Sequence, residues 1–153
     1  MTKKIIDAWK GRIIISDHFS ISRVIMPEDL FNYFGRENVE INDVKNGYVH
    51  YTIRDIPIDG TIFSFILFFG FGKLDMVSFG FDYSADDTWE NWSEEKELNR
   101  AAKYEKWLTM QVGRDRDFYW GNIWAAFDAK SGWSSLGLRF AQKLKPWYLR
   151  WLY

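Results

Sequence analysis

Apolar and polar positions along the chain change period several times, and each change predicts an element. Ile13, Ile14 and Ile15, then the alternation from His18 to Ser22, predict one or two strands with a bend at Asp17. Pro27 suits a first helical position. Glu28 and Asp29 follow it where the helix dipole favours acids, Leu30, Phe31 and Phe34 share a face, and Gly35 supplies a stop. That is a short helix. From Val39 to Asp82 the period is two, with breaks at Asn46-Gly47, at Pro57 with Asp59-Gly60, and at Gly70 to Gly72, which predicts a meander. Within it, Ile62 to Phe69 is apolar except for Ser64 and is expected to be a central strand covered on both faces. Gly80 leaves room for a close approach on the next strand.

A longer helix is predicted from Glu94 to Val112, capped by Asn91 or Ser93 and stopped by Gly113. Its apolar stripe is drawn through Leu98, Ala101, Ala102, Leu108 and Val112, which puts Glu105 inside the stripe and Trp107 on the solvent side. Phe118 to Phe127 and Trp133 to Phe140 predict a closing hairpin through Asp128 to Gly132. The expected architecture is α+β: an antiparallel sheet of about five to seven strands, the long helix packed on one face and the short N-terminal helix at an end. The other face is expected to be partly open. No linker or repeat divides residues 1–153, so a single globular domain is expected, with 142–153 as an aromatic, basic tail.

Composition narrows the function classes. Twenty Lys and Arg balance twenty-one Asp and Glu, which removes any global electrostatic case for nucleic acid or an anionic membrane. The absence of Cys excludes disulfides, thiolate zinc sites and cysteine nucleophiles. Asp7, Lys10 and Arg12 interrupt the apolar stretch that a signal peptide needs, and the longest apolar run, Ile62 to Phe71, is too short for a membrane-spanning helix. A cytoplasmic location is expected.

No nucleophile elbow, phosphate loop or dinucleotide fingerprint is present; Gly70-Phe71-Gly72 lacks a third glycine and reads as a turn. No metal or cofactor is expected. Seven acids fall between Asp82 and Glu97 against Lys96 alone, a local charge of about −6 at neutral pH. Solvation and the helix dipole account for part of that cluster. An acidic surface carrying Trp also suits a basic protein partner, so Asp86, Asp87, Trp89, Glu90, Trp92 and Glu94 are the candidate partner-binding residues. His50, Glu105 and Trp107 are the candidate lining of a pocket, because a carboxylate within an apolar stripe calls for a donor or a raised pKa. Lys143, Lys145 and Arg150 among Trp147, Tyr148 and Trp151 make the tail a candidate for docking on the domain or for homo-oligomer contacts.

The segment Trp89 to Leu98, with Trp107-Leu108, Gly113, Trp120-Gly121 and Asp128 to Gly132, resembles small bacterial single-domain proteins, some of them immunity proteins of polymorphic toxin systems. The resemblance covers roughly the C-terminal half. It implies a bacterial protein with a toxin as partner and no transferable catalytic activity. The leading expectation is therefore a non-enzymatic inhibitor presenting the acidic, Trp-containing segment. A small enzyme or ligand-binding domain with an aromatic pocket, or an oligomeric structural module, stands beside it.

Overall fold

A computed structural model describes residues 3–83 and 87–142. The chain begins with a small antiparallel sheet of β1 (Ile6–Asp7), β2 (Arg12–Ser16) and β3 (Phe19–Ile21). Helix α1 (Pro27–Phe34) follows, with Pro27 at its start and the amide of Gly35 closing it onto Phe31. Next come β4 (Val39–Lys45), β5 (Tyr48–Ile58), β6 (Thr61–Gly70) and β7 (Lys73–Phe81). Helix α2 (Glu94–Val112) leads to β8 (Asp117–Phe118), β9 (Gly121–Asp128) and β10 (Trp133–Phe140). The last seven strands form one antiparallel sheet in the order β4-β5-β6-β7-β10-β9-β8. The expected α+β class and antiparallel sheet are present, with seven strands in the large sheet and three more in the small one.

The turns fall where the sequence puts its left-handed residues. Asn46 and Gly47 have φ of 58° and 88°, and Asp59 and Gly60 have 50° and 81°, the positive values that tight hairpins require. Pro57 is not a break: it lies inside β5, beyond the last residue that pairs with β4, where its missing amide leaves no ladder bond unmade.

One face of the large sheet is the core. Tyr51, Ile53, Phe63, Phe65, Leu67, Val77, Phe79, Leu136 and Leu138 point into it and are buried. Helix α1 covers it through Phe31, edge-on to Tyr51 at 6.0 Å, and α2 packs over β9 and β10. The small sheet joins the same core. Trp120 carries its indole N–H to the carbonyl of Ala8 at 2.7 Å, and any side chain at Gly11 would strike that indole. Among the described residues strand β6 is covered on one face only, whereas its apolar sequence predicts cover on both. Its even-numbered residues Ile62, Ile66 and Phe68 lie on the opposite face with Met76 and Trp124, partly shielded by in-sheet neighbours.

Helix α2 has the predicted limits, with the Ser93 hydroxyl accepting the Lys96 amide at 3.1 Å and Gly113 at its end. Its buried stripe is different. The inward residues are Glu97, Arg100, Tyr104, Leu108 and Gln111, while Leu98 is 48% exposed. Glu105 does not sit in the stripe; it faces out and pairs with Arg116 at 2.7 Å. Trp107 does not face solvent; it packs against Phe63, Phe79 and Phe81. The helix turns this way because each buried polar group finds a partner inside, which removes the cost that apolar patterning assumes.

Gln111 is the simplest case. Its Oε1 accepts the amides of Ile5 (2.8 Å) and Ile6 (3.2 Å), and its Nε2 donates to the Lys3 carbonyl at 2.8 Å. One side chain thereby pairs with the first strand as a neighbouring strand would. Gln111→Ala leaves those backbone groups unpaired and is expected to cost about 2–3 kcal/mol in urea unfolding, with early loss of amide protection at Ile5 and Ile6.

Candidate functional site

The acidic segment is built onto the start of α2 and the β9–β10 turn. Glu97 is the anchor, 1% exposed. Its carboxylate accepts the Arg100 Nη1–H one helical turn on and the Ser134 amide at 2.8 Å, and its backbone carbonyl accepts the Ser134 hydroxyl. Arg100 spans outward from this point. Its Nη2 donates to the Asp82 carbonyl and to Asp87 Oδ2, both at 3.2 Å, and its guanidinium lies 4.2 Å from the centre of the Tyr83 ring. Lys96 closes on the other oxygen of Asp87 at 2.9 Å, and Lys103 pairs with Asp82. Burial opposes the Arg100 charge, but Glu97 and Asp87 outweigh it and hold the guanidinium protonated more firmly than usual.

Two tyrosines complete the support. The hydroxyl of Tyr83 donates to the Ser134 carbonyl. Tyr104 Oη donates to the Phe81 carbonyl and accepts the Phe81 amide at 3.0 Å, closing the end of β7 beyond its last pair with β10. Gly80 permits this approach, since a β-carbon there would lie 2.7 Å from the Tyr104 oxygen. Desolvation pushes the Tyr83 phenol above its usual pKa of 10.0; desolvation and the neighbouring Tyr83 push Tyr104 well above it. A raised folded-state pKa means the native protein holds these protons more tightly than the unfolded chain does. Their contribution is full below about pH 10 and lost as pH climbs through the folded values. Alkaline titration at 295 nm should show these phenols ionising later than exposed tyrosines, together with the loss of structure.

On this base stands an aromatic group. Trp92 donates its indole N–H to the Gly132 carbonyl. Trp89, on a short 3-10 turn at Trp89–Asn91, lies 5.2 Å from Trp133 and 6.2 Å from Trp92, ring centre to centre. Trp89 nevertheless remains 65% exposed. Glu90, Glu94 and Glu95 are exposed close to it in sequence and have no ion-pair partner among the described residues. Among the described residues the surface charge of this segment comes from these three glutamates, because Asp82, Asp87 and Glu97 are neutralised by Lys103, Lys96 and Arg100.

The sequence-derived site is therefore partly reassigned. Trp89, Glu90 and Glu94 are at the surface, and Trp92 is half-buried beneath Trp89. Asp87 is turned inward: its side chain is 6% exposed and paired with Arg100 and Lys96. Asp86 and the tail beyond Gln142 lie outside the described residues. Arg100, Ser134 and Trp133 were not among the candidates. The signal for Arg100 was the spacing 97, 100, 104, 108, 111, a regular helical face once polar residues are admitted to it; Ser134 and Trp133 lie on β10 and are outside that pattern.

The three candidate pocket residues take different partners. His50 stacks edge-on against Phe68 at 4.3 Å, and Glu105 pairs with Arg116 on the solvent side of α2. Two clefts that Trp107 lines contain neither of them. Among the described residues no group of three His, Asp or Glu converges as metal ligands would, and no helix is long and apolar enough to cross a membrane. No protein family, curated protein or solved structure matches this chain.

Proposed function

We propose that this is a protein-binding domain, an immunity-type inhibitor whose contact surface is Trp89 together with Glu90, Glu94 and Glu95, the exposed acids near it in sequence. The observation that carries the reading is the combination of an exposed Trp with a rigid base. Trp89 sits on Trp133 and Trp92, above an ion-pair network that ties Asp87, Arg100 and Glu97 to the sheet. A large aromatic side chain left mostly in water on two other Trp rings is poorly explained by folding alone. It fits a central anchor at an interface, where Trp is enriched and a polar rim excludes water. Exposed glutamates near it in sequence, without an ion-pair partner among the described residues, suit a basic partner surface, such as the active site of a nuclease toxin, speeding encounter and fixing orientation.

An affinity capture of the tagged protein from lysate of its source cells tests this, at low and at high salt. One stoichiometric partner is expected, retained at low salt and depleted at high salt. The triple variant Glu90→Gln, Glu94→Gln, Glu95→Gln should slow association by about tenfold at low salt and flatten the salt dependence. Capture that is indifferent to both salt and the triple variant counts against the reading.

A further inference from the structure

A second site lies away from this surface, in a cleft of about 690 Å³ between the Arg23–Met26 segment, the β6–β7 hairpin and the end of β10. Volumes of about 300–1,000 Å³ suit small ligands. Two features of its wall are unexplained by folding. The first is Arg23. Its Nη2 donates to the Ala141 carbonyl at 2.6 Å and its guanidinium lies 6.0 Å from the centre of the Phe140 ring. Its Nη1 is buried with no hydrogen-bond acceptor among the described residues. An unpaired buried donor on a charged group is costly, and native structures keep few of them.

The second feature is the hairpin tip. Phe71 and Gly72 have φ of 53° and 79°, a turn that ordinarily takes Asn or Gly at its first position. Phe71 instead holds a left-handed backbone conformation that is unfavourable for a bulky side chain, and its ring is 73% exposed at the rim of the cleft. It meets the ring of Tyr48 edge-on at 5.3 Å, and its amide is fixed to the Gly47 carbonyl at 2.7 Å. Backbone strain is thus accepted to keep an aromatic ring in water at the rim of a cleft that Arg23, with its unpaired Nη1, also lines.

The geometry points to a binding site for a small monocarboxylate with an aromatic or otherwise apolar body. The carboxylate takes the free Arg23 Nη1–H, reached by a turn of the guanidinium about its bond to Ala141, with the Lys73 ammonium adding a second positive charge. The body lies against Phe71, Tyr48 and Leu74. Asp75, the one acid among the described residues of the lining, sets the charge class: it opposes a phosphate dianion far more than a monoanion. This site is independent of the Trp89 surface.

Phenylacetate is the probe, titrated into the 15N-labelled full chain while backbone amide shifts are followed. Saturable shifts are expected at Arg23, Phe71, Lys73 and Ala141, with a dissociation constant of about 1 mM, ordinary for a ligand of this size. Phenylacetamide, the neutral isostere, should bind at least about tenfold more weakly, as should phenylacetate to Arg23→Met. Because Arg23→Met also loses the bond to Ala141, Phe71→Asn provides a second variant. Asn suits the left-handed turn, so this protein should fold at least as well as the parent while binding phenylacetate about threefold or more weakly. The proposal is overturned if no saturable shift occurs up to about 20 mM, a range that covers weak fragment binding. It is equally overturned if phenylacetamide or the Phe71→Asn protein binds as well as the reference pair.

Discussion

Arg100→Leu is expected to destabilise the fold by about 3–5 kcal/mol, the largest effect of any single change outside the apolar core. The substitution keeps bulk and helix propensity but leaves the Glu97 carboxylate buried with only the Ser134 amide for compensation. It also frees Asp87 and the Asp82 carbonyl from their shared donor. Urea unfolding should show a lower midpoint at unchanged slope, and the amides near Trp89 should exchange faster than those of β6. The double change Glu97→Leu with Arg100→Leu should cost less than Arg100→Leu alone, because no carboxylate is then left without its counter-charge. A double variant weaker than the single one would mean that Ser134 and the backbone, rather than charge balance, hold this region together.

Trp89→Ala is expected to do the opposite: leave stability nearly unchanged and remove most of the binding. The side chain is largely in water, so its loss on folding grounds is small, and its contact with Trp133 is only partial. At an interface the same ring, desolvated by a partner, is worth about 2–4 kcal/mol, or about thirtyfold to a thousandfold in dissociation constant. Trp92→Ala separates surface from support. It loses the bond to Gly132 and the underside of Trp89, so stability and binding should fall together.

Positions set by backbone chemistry were legible in the sequence. Pro27 and Gly35 bound α1, Asn46-Gly47 and Asp59-Gly60 make the hairpin turns, and Ser93 and Gly113 cap α2. These residues act locally, so their meaning survives without knowledge of the fold. The orientation of α2 was not legible by apolar spacing. Glu97, Arg100 and Gln111 are buried because Ser134, Asp87, Ile5 and Lys3 meet them, and those partners lie far away in sequence. A stripe drawn on hydrophobicity alone therefore rotated the helix, placing Glu105 inside and Trp107 outside. The acidic cluster was legible as a region but not in its parts. Counting charges could not distinguish Asp87, spent on the fold, from Glu90, Glu94 and Glu95, which remain for solvent or a partner. Arg23 and Phe71 were invisible to pattern altogether, since an orphaned nitrogen and a strained turn exist only once the chain is folded.

The central claim is that a partner meets this protein at the Trp89 surface. Hydrogen exchange of the purified complex against the free protein measures it directly. The account predicts new protection concentrated in residues 88–96 and in the β9–β10 turn at 129–133, with little change at the Arg23 cleft. Protection centred on the opposite sheet face around Phe68 and Trp124, with residues 88–96 exchanging as in the free protein, would contradict it.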